Sequence, residues 1–519
     1  MQREVFDLAI IGGGITGAGV ALDAASRGLN VALIEKRDFA SGTSSRSTKL
    51  IHGGLRYLEQ FEFGLVREAL RERATLSRIA PHLSEPLAFL VPVYDARRPS
   101  PLGRNKLKLR LGLWLYDLLA GRQNIGRHRW LKPEEILKLA PALEAGGLKG
   151  ALLYYDCLTD DARLVIEVIK AAAEAGAIVA NYAAARGLVK SDGRVSGIEV
   201  EETRGGRRFT LSAHVVVNAT GVWSDEVARL ADRNGARKLR PSKGIHVVMP
   251  DEGFNCEAAV LIPSLGEQRF LFIVPWLGRT LIGTTDTDYG GPLDEPVADP
   301  DEINRVLESA ARYFPRANLC TERVISTTAG LRPLVSEDDK STSELSRKDE
   351  LIESDSGLIS MIGGKLTTYR RIAERVVDRV MERLGRARGK CMTGQIELAG
   401  GVLSDAQMKD ESPRMAAEYA LPVETVEHLM HKYAGNSRVI LEITRESPDL
   451  RSPLIEGLPH IAAEVVYAAR YEMAMTVEDF LARRTRIALL SRDHGSGCVA
   501  RVGELIHEGH EEARRESPA

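Results

Sequence analysis

The pattern of apolar and polar positions at the start of the chain predicts a β–α–β unit. Residues 5–11 form a short apolar run that is typical of a buried parallel strand. An alanine-rich stretch follows over 15–28 and is closed by a glycine, which indicates a helix. Residues 30–34 predict a second strand, so two strands and a helix follow one another without a long loop.

Helices and strands continue to alternate as far as about residue 384. We expect strands over 214–221, at several places within 243–285, and over 357–364. The last of these strands is expected to open a long helix from Lys365 to about Leu384.

Three further stretches have a helical pattern. Residues 64–80 and 160–175 predict helices, the second of them capped by Asp160 or Asp161. Residues 105–121 leave a strand and a helix open, because the first half alternates whereas a helical stripe runs through the whole stretch. That stripe consists of Leu107, Leu111, Trp114, Leu115 and Leu118.

The composition changes near residues 385–401, which are rich in glycine and arginine and indicate a linker. Beyond it, residues 402–510 predict helices without clear strands. We therefore place a domain boundary near residue 395.

Composition and charge exclude several classes of protein. The 519 residues carry 70 Lys and Arg against 72 Asp and Glu, so a net charge of −2 argues against a general nucleic-acid binder. Hydrophobic residues make up 44% of the chain, which is ordinary for a globular protein and excludes disorder.

Neither the cysteines nor the apolar runs indicate a metal cluster or a membrane span. Five scattered cysteines form no CxxC pair, which argues against a zinc ribbon or an iron–sulfur cluster and suits a reducing cytosol. There is no run of 18 apolar residues and no signal-peptide cleavage region at the start.

A glycine motif follows the first predicted strand directly. In GGGITG, Gly12 permits a tight turn, Gly14 lets the backbone approach a pyrophosphate, and Gly17 lets the helix pack closely. Glu35 ends the second strand, where a carboxylate accepts hydrogen bonds from the ribose hydroxyls of an adenosine. The unit predicts a dinucleotide site but does not separate FAD from NAD.

Two later segments favour a flavin. The run TSSRSTKLIHGGLRY at 43–57 combines hydroxyls with glycines that let the backbone approach a flat ring. A second strand-to-glycine turn at Gly363 and Gly364 lies over 300 residues after the first, which is typical of two-piece sites that close around a flavin.

Seven segments together resemble one family. They are GGGITGAGVALDAASRG, SSRSTKLIHGGLRYLE, NATGVWSD, GTTDTDY, AGLRPL, GGKLTTYR and EMAMTVEDFLARRTR. In this order, from residue 5 to about 490, the chain closely resembles the FAD-dependent glycerol-3-phosphate dehydrogenases of the glycine/D-amino-acid oxidase superfamily. The second, sixth and seventh segments are the most specific.

The resemblance implies an α/β fold with three parts. These are an FAD-binding Rossmann-like domain, a β-rich substrate lobe inserted within it, and an α-helical C-terminal domain over 396–519. Within the oxidoreductase domain, 1–395, the FAD-binding parts are expected at about 1–85, 150–240 and 350–390, and the substrate lobe at about 86–149 and 241–349. The helical domain is expected to serve dimerisation or a partner contact, and we assign it no chemistry.

The resemblance also implies a reaction and a cellular place. The family oxidises sn-glycerol 3-phosphate to dihydroxyacetone phosphate by hydride transfer from C2 to FAD N5 and passes electrons to a membrane quinone. We expect a cytoplasmic protein bound peripherally to the inner face of the cytoplasmic membrane, with no nucleic-acid partner and no metal. The alternatives are an oxidase that uses O2 and releases H2O2, a flavoprotein acting on an amino acid or amine, and a non-catalytic flavin-binding scaffold.

Candidate catalytic and substrate-binding residues follow from the same motifs. His246 is preferred over His52 as the base for the C2 hydroxyl, and Arg332 is expected to bind phosphate or polarise the C2 oxygen. The other substrate-binding candidates are Arg56, Tyr57, Asp286 and Lys365. Tyr57 is expected to line the pocket. The structural alternatives are a loop anchor for Arg56, an ion pair for Arg332, a turn cap for Asp286 and a helix start for Lys365.

The cofactor-binding candidates lie in the glycine motif and the flavin-facing segments. They are Gly12, Gly14, Gly17, Glu35, Thr43, Ser44, Ser47, Thr48, Leu50, His52, Gly53, Gly54, Ala219, Gly221, Gly364, Leu366 and Thr367. The backbone amides of the last two are expected to point at the flavin pyrimidine from the start of the helix.

Two features bear on the membrane and on regulation. The basic start of 105–121, with Trp114 and Tyr116, suits a helix lying on anionic lipid, with a core element as the alternative. Arg483, Arg484 and Arg486 are expected to be ion-paired at the surface. The chain lacks a cysteine-rich C-terminal extension and an EF-hand loop, which favours the single-subunit aerobic type without calcium regulation.

Overall fold

The structure is a computed structural model. It describes residues 4–54, 61–95, 106–232, 239–265, 269–335, 349–401, 403 and 405–516. Among the described residues, none of the helices is both long and apolar enough to span a membrane.

The described part of the chain contains eighteen strands. In chain order they are β1 (Val5–Ile11), β2 (Val31–Ile34), β3 (Leu50–Ile51), β4 (Glu85–Tyr94), β5 (Arg129–Leu131), β6 (Leu148–Leu158), β7 (Ile178–Ala180), β8 (Ala183–Ser191), β9 (Arg194–Glu202), β10 (Arg208–Asn218), β11 (Leu239–Pro250), β12 (Ala259–Pro263), β13 (Phe270–Trp276), β14 (Arg279–Gly283), β15 (Thr287–Asp288), β16 (Ser326–Val335), β17 (Glu350–Glu353) and β18 (Ile359–Ile362).

Fourteen α-helices are described in the same residues. They are α1 (Ile15–Ser26), α2 (Phe63–Ile79), α3 (Lys106–Ala120), α4 (Pro133–Leu139), α5 (Asp161–Glu174), α6 (Ser224–Ala231), α7 (Pro300–Ala311), α8 (Tyr369–Arg383), α9 (Asp405–Tyr419), α10 (Val423–Tyr433), α11 (Ser437–Ile443), α12 (Ala462–Tyr471), α13 (Ile487–Leu490) and α14 (Val499–Glu516).

The first sheet is built around the predicted β–α–β unit, which is confirmed. Its main path runs β17-β18-β10-β1-β2-β7, and from β18 to β7 all neighbours are parallel. Helices α1, α5 and α8 bury apolar side chains against one face, and β8, β9 and α6 do so against the other, because parallel strands need cover on both faces. The carboxyl ends of β1 and β10 therefore open beside the start of α1.

The second sheet is mostly antiparallel and forms the β-rich lobe. It runs β15-β11-β14-β13-β12-β4-β6-β3, with β16 paired to β11 and β5 paired to β6. The long pairing of β11 with β16 sets His246 opposite Thr328 and Ser242 opposite Arg332. This register places candidate site residues on adjacent strands.

The described residues after β18 form helices, turns and irregular segments, with an isolated bridge between Pro453 and Ile461. The helices α9 to α14 enclose a separate apolar core. The predicted fold class, a Rossmann-like domain with a β-rich lobe and a helical C-terminal domain, is confirmed.

Two local predictions are settled by these elements. Of residues 105–121, the structure shows 106–120 as a helix, α3, and Asp160 caps α5 by accepting a hydrogen bond from the Arg163 N–H at 3.1 Å. The prediction that Lys365 begins the long helix is wrong. Residues 366–368 form a turn, the Thr368 N–H donates to the Lys365 carbonyl at 3.2 Å, and α8 begins at Tyr369.

Candidate functional site

The glycine motif leaves open space where β1 meets α1. Gly12 has a φ of +113°, and a Cβ there would lie 2.7 Å from the Ala219 carbonyl oxygen. A Cβ on Gly17 would collide with the Gly12 carbonyl, so this glycine allows the helix and the turn to pack closely. The N-cap residue, Gly14, has no side chain to cap the helix. Ser44 Oγ accepts a hydrogen bond from the Ile15 N–H at 3.0 Å, and the helix start faces a cavity, which suits an anionic ligand.

Glu35 is held at the edge of the same cavity. Its carboxylate accepts hydrogen bonds from the Gly13 N–H at 2.7 Å and from the Arg37 N–H at 3.0 Å. Burial raises the pKa of the Glu35 carboxyl, and these two N–H groups counter the shift. The carboxylate is therefore fixed in the wall of this cavity.

Two cavities meet at the flavin-facing segments. The first, about 520 Å³, runs along Gly12, Gly14 and Glu35, and the second, about 360 Å³, lies beside His246 and Arg332. Both are lined by Thr43, Ser47, Pro333, Gly363, Gly364 and Leu366. A ligand that extends from the glycine turn through this junction would end against the second cavity.

Most of the predicted cofactor residues line one of these cavities. The first cavity contacts Gly12, Gly14, Glu35, Thr43, Ser44, Ser47, Ala219, Gly221, Gly364 and Leu366. The second contacts Thr48, Leu50, His52, Gly54 and Thr367. Gly17 and Gly53 line neither, and a Cβ on Gly53 would collide with the buried Tyr116 hydroxyl, which indicates a packing role.

His246 is a buried imidazole at the edge of the second cavity. Its Nε2 lies 2.9 Å from Thr48 Oγ1, and its Nδ1 has no hydrogen-bond partner among the described residues. Burial, followed by the positive charges of Lys49 and Arg332, holds the pKa of the His246 imidazole well below its ordinary value. The ring is therefore neutral at pH 7 and able to accept a proton.

Arg332 reaches the second cavity from β16. Its guanidinium donates to the Thr285 carbonyl at 3.1 Å and to Thr284 Oγ1 at 2.9 Å, and it lies 3.6 Å from Asp286. Asp286 also pairs with Arg269 and accepts a hydrogen bond from Ser242. These contacts favour the orienting role predicted for Asp286 over a turn cap.

Lys365 and His52 line the same cavity from two other segments. Lys365 lies near Asp349. Burial raises the pKa of the Asp349 carboxyl, and the positive charge of Lys365 offsets only part of that rise. The His52 N–H donates to Thr367 Oγ1 at 3.1 Å, while its side chain is exposed. The structure thus ties the segment of His52 to the turn after Gly364.

Two of the predicted substrate-binding residues, Arg56 and Tyr57, lie outside the described residues. Arg46 and Arg269, which the sequence analysis did not single out, do line the second cavity. The sequence signal for Arg46 is its place within SSRSTKLIHGG, between two residues that were singled out. Arg269 carried no motif, and only the fold of β13 beside β14 brings it near Asp286.

The three C-terminal arginines are buried, which corrects the expectation of a surface patch. Arg483 and Arg484 both contact the buried carboxylate of Asp38, and Arg486 contacts Asp160 and Asp161. The ion pairing was predicted. The burial was not, because the partners come from the oxidoreductase domain and are distant in sequence.

A second polar cluster lies within the helical domain. His428 and His460 both approach the Glu464 carboxylate, at 3.4 and 3.1 Å. The same carboxylate accepts hydrogen bonds from the Tyr433 hydroxyl at 2.8 Å and the Ile461 N–H at 2.9 Å. These hydrogen bonds occupy both oxygens of the Glu464 carboxylate, which caps the helix and joins the side chains packed around it. We therefore assign the cluster no ligand.

Family models match most of the chain. The model described as "FAD dependent oxidoreductase" matches residues 7–370. The model described as "C-terminal domain of alpha-glycerophosphate oxidase" matches residues 391–514. The two matches follow each other with a short gap.

Curated relatives match nearly the whole chain. Glycerol-3-phosphate dehydrogenase of Synechocystis sp. is 40% identical over 521 residues, covering 98% of this chain and 93% of the relative. Aerobic glycerol-3-phosphate dehydrogenase of Staphylococcus saprophyticus is 38% identical over 495 residues, covering 93% of this chain and 87% of the relative.

Solved structures show the same architecture. The glycerol-3-phosphate dehydrogenase of Bacillus halodurans complexed with FAD superposes with a TM-score of 0.79 at 33% identity, covering 99% of this chain and 93% of that one. L-alpha-glycerophosphate oxidase of Mycoplasma pneumoniae, at 18% identity and a TM-score of 0.58 over 73% of this chain and 95% of that one, shares the fold.

Proposed function

The chain belongs to the family of FAD-dependent glycerol-3-phosphate dehydrogenases, and from that premise we propose that it oxidises sn-glycerol 3-phosphate to dihydroxyacetone phosphate. One observation carries the proposal. The cavity at the inner end of the FAD cradle brings a buried neutral imidazole, His246, together with the cations Arg332 and Lys365. This is the combination that a phosphorylated secondary alcohol requires.

The cradle fits FAD, the cofactor of this family. Gly12 and Gly14 leave room for backbone to approach a pyrophosphate, Glu35 suits the ribose, and the junction of the two cavities suits the flavin ring. The chemistry that bound FAD supplies is acceptance of the C2 hydride at its N5.

His246 is the proposed base for the C2 hydroxyl. Its Nε2 lies beside the cavity-lining hydroxyl of Thr48, whereas Nδ1 is shielded from solvent, so we assign proton acceptance to Nε2. A phosphate dianion near Arg332 would offset one of the positive charges that lower the pKa of His246. Substrate binding therefore strengthens the base at the moment when it is needed.

Arg332 and Lys365 are the proposed phosphate ligands among the described residues, with Arg56 and Tyr57 as further candidates beyond them. Arg332 is already oriented by Thr284, Thr285 and Asp286, so little side-chain freedom is lost when it binds an anion. A guanidinium fixed in this way binds a phosphorylated alcohol more tightly than the same alcohol without its phosphate.

The proposed electron acceptor is a membrane quinone. Helix α3 leaves Leu111, Trp114 and Leu118 on its outer face, with 63%, 54% and 60% of each side chain exposed. Tyr116, predicted to share that face, is buried and donates a hydrogen bond to Asp156 at 2.8 Å. An exposed apolar stripe on one helix supports peripheral attachment of this face to a lipid surface.

Oxygen is the alternative acceptor. The match of residues 391–514 to a domain described from alpha-glycerophosphate oxidase is the observation that favours it.

The two family matches, which end at residue 370 and resume at residue 391, also support the predicted domain division near residue 395.

Substrate choice tests the proposal. With an artificial electron-accepting dye, the purified holoenzyme should turn over sn-glycerol 3-phosphate and fail with equal concentrations of glycerol or L-proline. Turnover of glycerol at a similar kcat/KM would contradict the phosphate clamp. Turnover of L-proline alone would replace the proposed substrate with an amino acid.

A further inference from the structure

A buried arginine of the helical domain reaches into the oxidoreductase domain. Arg486 lies between the helical segment Asp479–Arg484 and helix α13. Its φ is +67°, a left-handed conformation that is unusual for a residue with a side chain. Its side chain is 1% exposed. The guanidinium donates to the Ala482 carbonyl of the preceding helix at 3.2 Å and also reaches the start of α5.

The guanidinium contacts two successive carboxylates there. Nη2 donates to Asp160 Oδ1 at 2.6 Å and to Asp161 Oδ1, while Nε also donates to Asp160 at 3.0 Å. Burial by itself would raise the pKa of the Asp160 carboxyl, but the positive charge of Arg486 holds that pKa below its ordinary value. The Asp160 carboxylate is therefore ionised where it meets the helical domain.

Asp161 carries this contact onward to the flavin-facing segment. Its Oδ2 accepts hydrogen bonds from the Ser47 N–H at 3.0 Å and the Ser47 hydroxyl at 2.7 Å. Its Oδ1 pairs with the fully buried Lys49 ammonium at 3.0 Å. Lys49 itself has a φ of +61°, so the segment is held in an unusual conformation by buried charges.

The residue between these two reaches the proposed base. Thr48 Oγ1 lies 2.9 Å from His246 Nε2, and Ser47 lines both cavities. A displacement of residues 47–49 would therefore move the imidazole contact and the flavin junction together.

We propose that Arg486 is a positioning residue of the helical domain. Through Asp161 it fixes residues 47–49, and with them the Thr48 hydroxyl beside His246 and the wall of the flavin junction. The inference rests on the proposed function for its catalytic consequence. It gives the helical domain a role in the reaction without any contact to substrate or cofactor.

Replacing the arginine with a neutral side chain of similar length tests this role. In Arg486→Met holoenzyme, saturated with FAD, we expect kcat to fall by about tenfold or more, because small misplacements at a reacting site are costly. The FAD dissociation constant, measured by flavin fluorescence, should rise by a similar factor. Arg486→Lys, which restores a charge that reaches one carboxylate, should recover part of both losses.

The control is Arg470→Met. Arg470 is also mostly buried and also contacts two carboxylates, Glu446 and Glu512, but these lie within the helical domain. We expect its kcat and FAD dissociation constant to stay within about twofold of the wild type. Equal losses in the two variants would reduce Arg486 to an ordinary packing residue and overturn the proposal.

Two further measurements separate the possible failures. If Arg486→Met does not fold, Ser47→Ala removes two hydrogen bonds of the same path, to Asp161 and from the Lys49 N–H, without burying an unpaired charge. Unchanged kcat and FAD affinity in that variant would overturn the proposal. If wild-type enzyme fails to oxidise sn-glycerol 3-phosphate, the proposed function fails. The FAD dissociation constants then still show whether Arg486 fixes the flavin junction.

Discussion

His246 is the residue on which the proposed proton transfer depends. Its imidazole lies among Lys49, Arg332 and apolar strands, and its pKa is lowered well below the ordinary value. A base that is neutral throughout the neutral range loses no activity to its own protonation as the pH falls from 8 to 6.

The His246→Asn variant tests this point. We expect kcat/KM to fall about 100- to 10,000-fold with FAD still bound, as for loss of a general base. Because the pKa of His246 lies below this range, the ratio of wild-type to variant kcat/KM should be constant from pH 8 to pH 6, and titration of the substrate phosphate cancels in the ratio. A ratio that shrinks toward pH 6 would show that His246 titrates at its ordinary value.

Arg332 separates substrate binding from cofactor binding. It is fixed by Thr284, Thr285 and Asp286 in the second cavity, away from the glycine turn. Arg332→Ala should keep FAD and lose about 100- to 1,000-fold in kcat/KM, as for loss of one fixed charged donor. Arg305→Ala, on the exposed face of α7, is the matched control, and normal activity of Arg332→Ala would exclude the proposed clamp.

Gly14 tests the placement of the cofactor. A Cβ on this residue would lie 3.1 Å from Ser44 Oγ, which holds the Ile15 N–H, so the branches of a valine would fill the cavity at the helix start. We expect Gly14→Val to purify without bound FAD. Gly64→Ala, at a helix position with no atom within 4 Å of the added Cβ, should stay yellow. A yellow, active Gly14→Val would refute the placement.

At this scale the sequence identified residues in motifs and missed those placed only by the fold. His246 and Arg332 could be proposed from their segments, and the β11–β16 register brings those segments together. Arg269 could not, because its contact with Asp286 depends on strand packing rather than on neighbours in sequence.

Helix α3 shows what a local pattern can and cannot determine. The strand and the helix could not be separated for residues 105–121, because both periodicities were present. The structure resolves the choice, with Tyr116 packed inward and Leu111, Trp114 and Leu118 outward. The start of α8 was missed because residues 366–368 form a turn between the glycine pair and the first helical residue, Tyr369.

The outer face of α3 is expected to bind lipid. Replacing Leu111, Trp114 and Leu118 with serine should lower co-sedimentation with anionic vesicles by about tenfold or more, because three apolar side chains no longer leave water. Turnover with a soluble dye should not change. A control with serine at Leu230, Val297 and Leu351, three exposed apolar residues elsewhere, should bind vesicles normally. Equal binding by the two triple variants would exclude α3 as the contact.

Across the whole molecule, buried ion pairs join the helical domain to the oxidoreductase domain. Asp38 pairs with Arg483 and Arg484 of the helical domain. Asp161 pairs with Arg486 of the helical domain and with Lys49 of its own domain. All of these side chains have little or no exposure. Buried pairs of this kind are costly to break, because removing one partner leaves an uncompensated charge. The two domains are therefore expected to unfold together.

The dinucleotide-binding part and a helical C-terminal part could be predicted from the sequence because the β–α–β start, the strand-to-glycine turns and the change of composition are local signals. The inserted substrate lobe was implied by the family resemblance. The interface could not, since ARRTR has the composition of an exposed basic patch. Only the positions of Asp38, Asp160 and Asp161 on the facing domain show that these arginines are buried.

An anaerobic titration of the purified holoenzyme with sn-glycerol 3-phosphate tests the proposed reaction most directly. The absorbance band of oxidised flavin, at about 350 to 500 nm, should bleach in proportion to added substrate, because hydride from C2 reduces the bound FAD. A soluble quinone analogue should then restore the colour faster than air does. If glycerol 3-phosphate leaves the flavin band unchanged, it is not the substrate of this enzyme. If air restores the colour faster than the quinone analogue does, the electron acceptor is oxygen rather than a quinone.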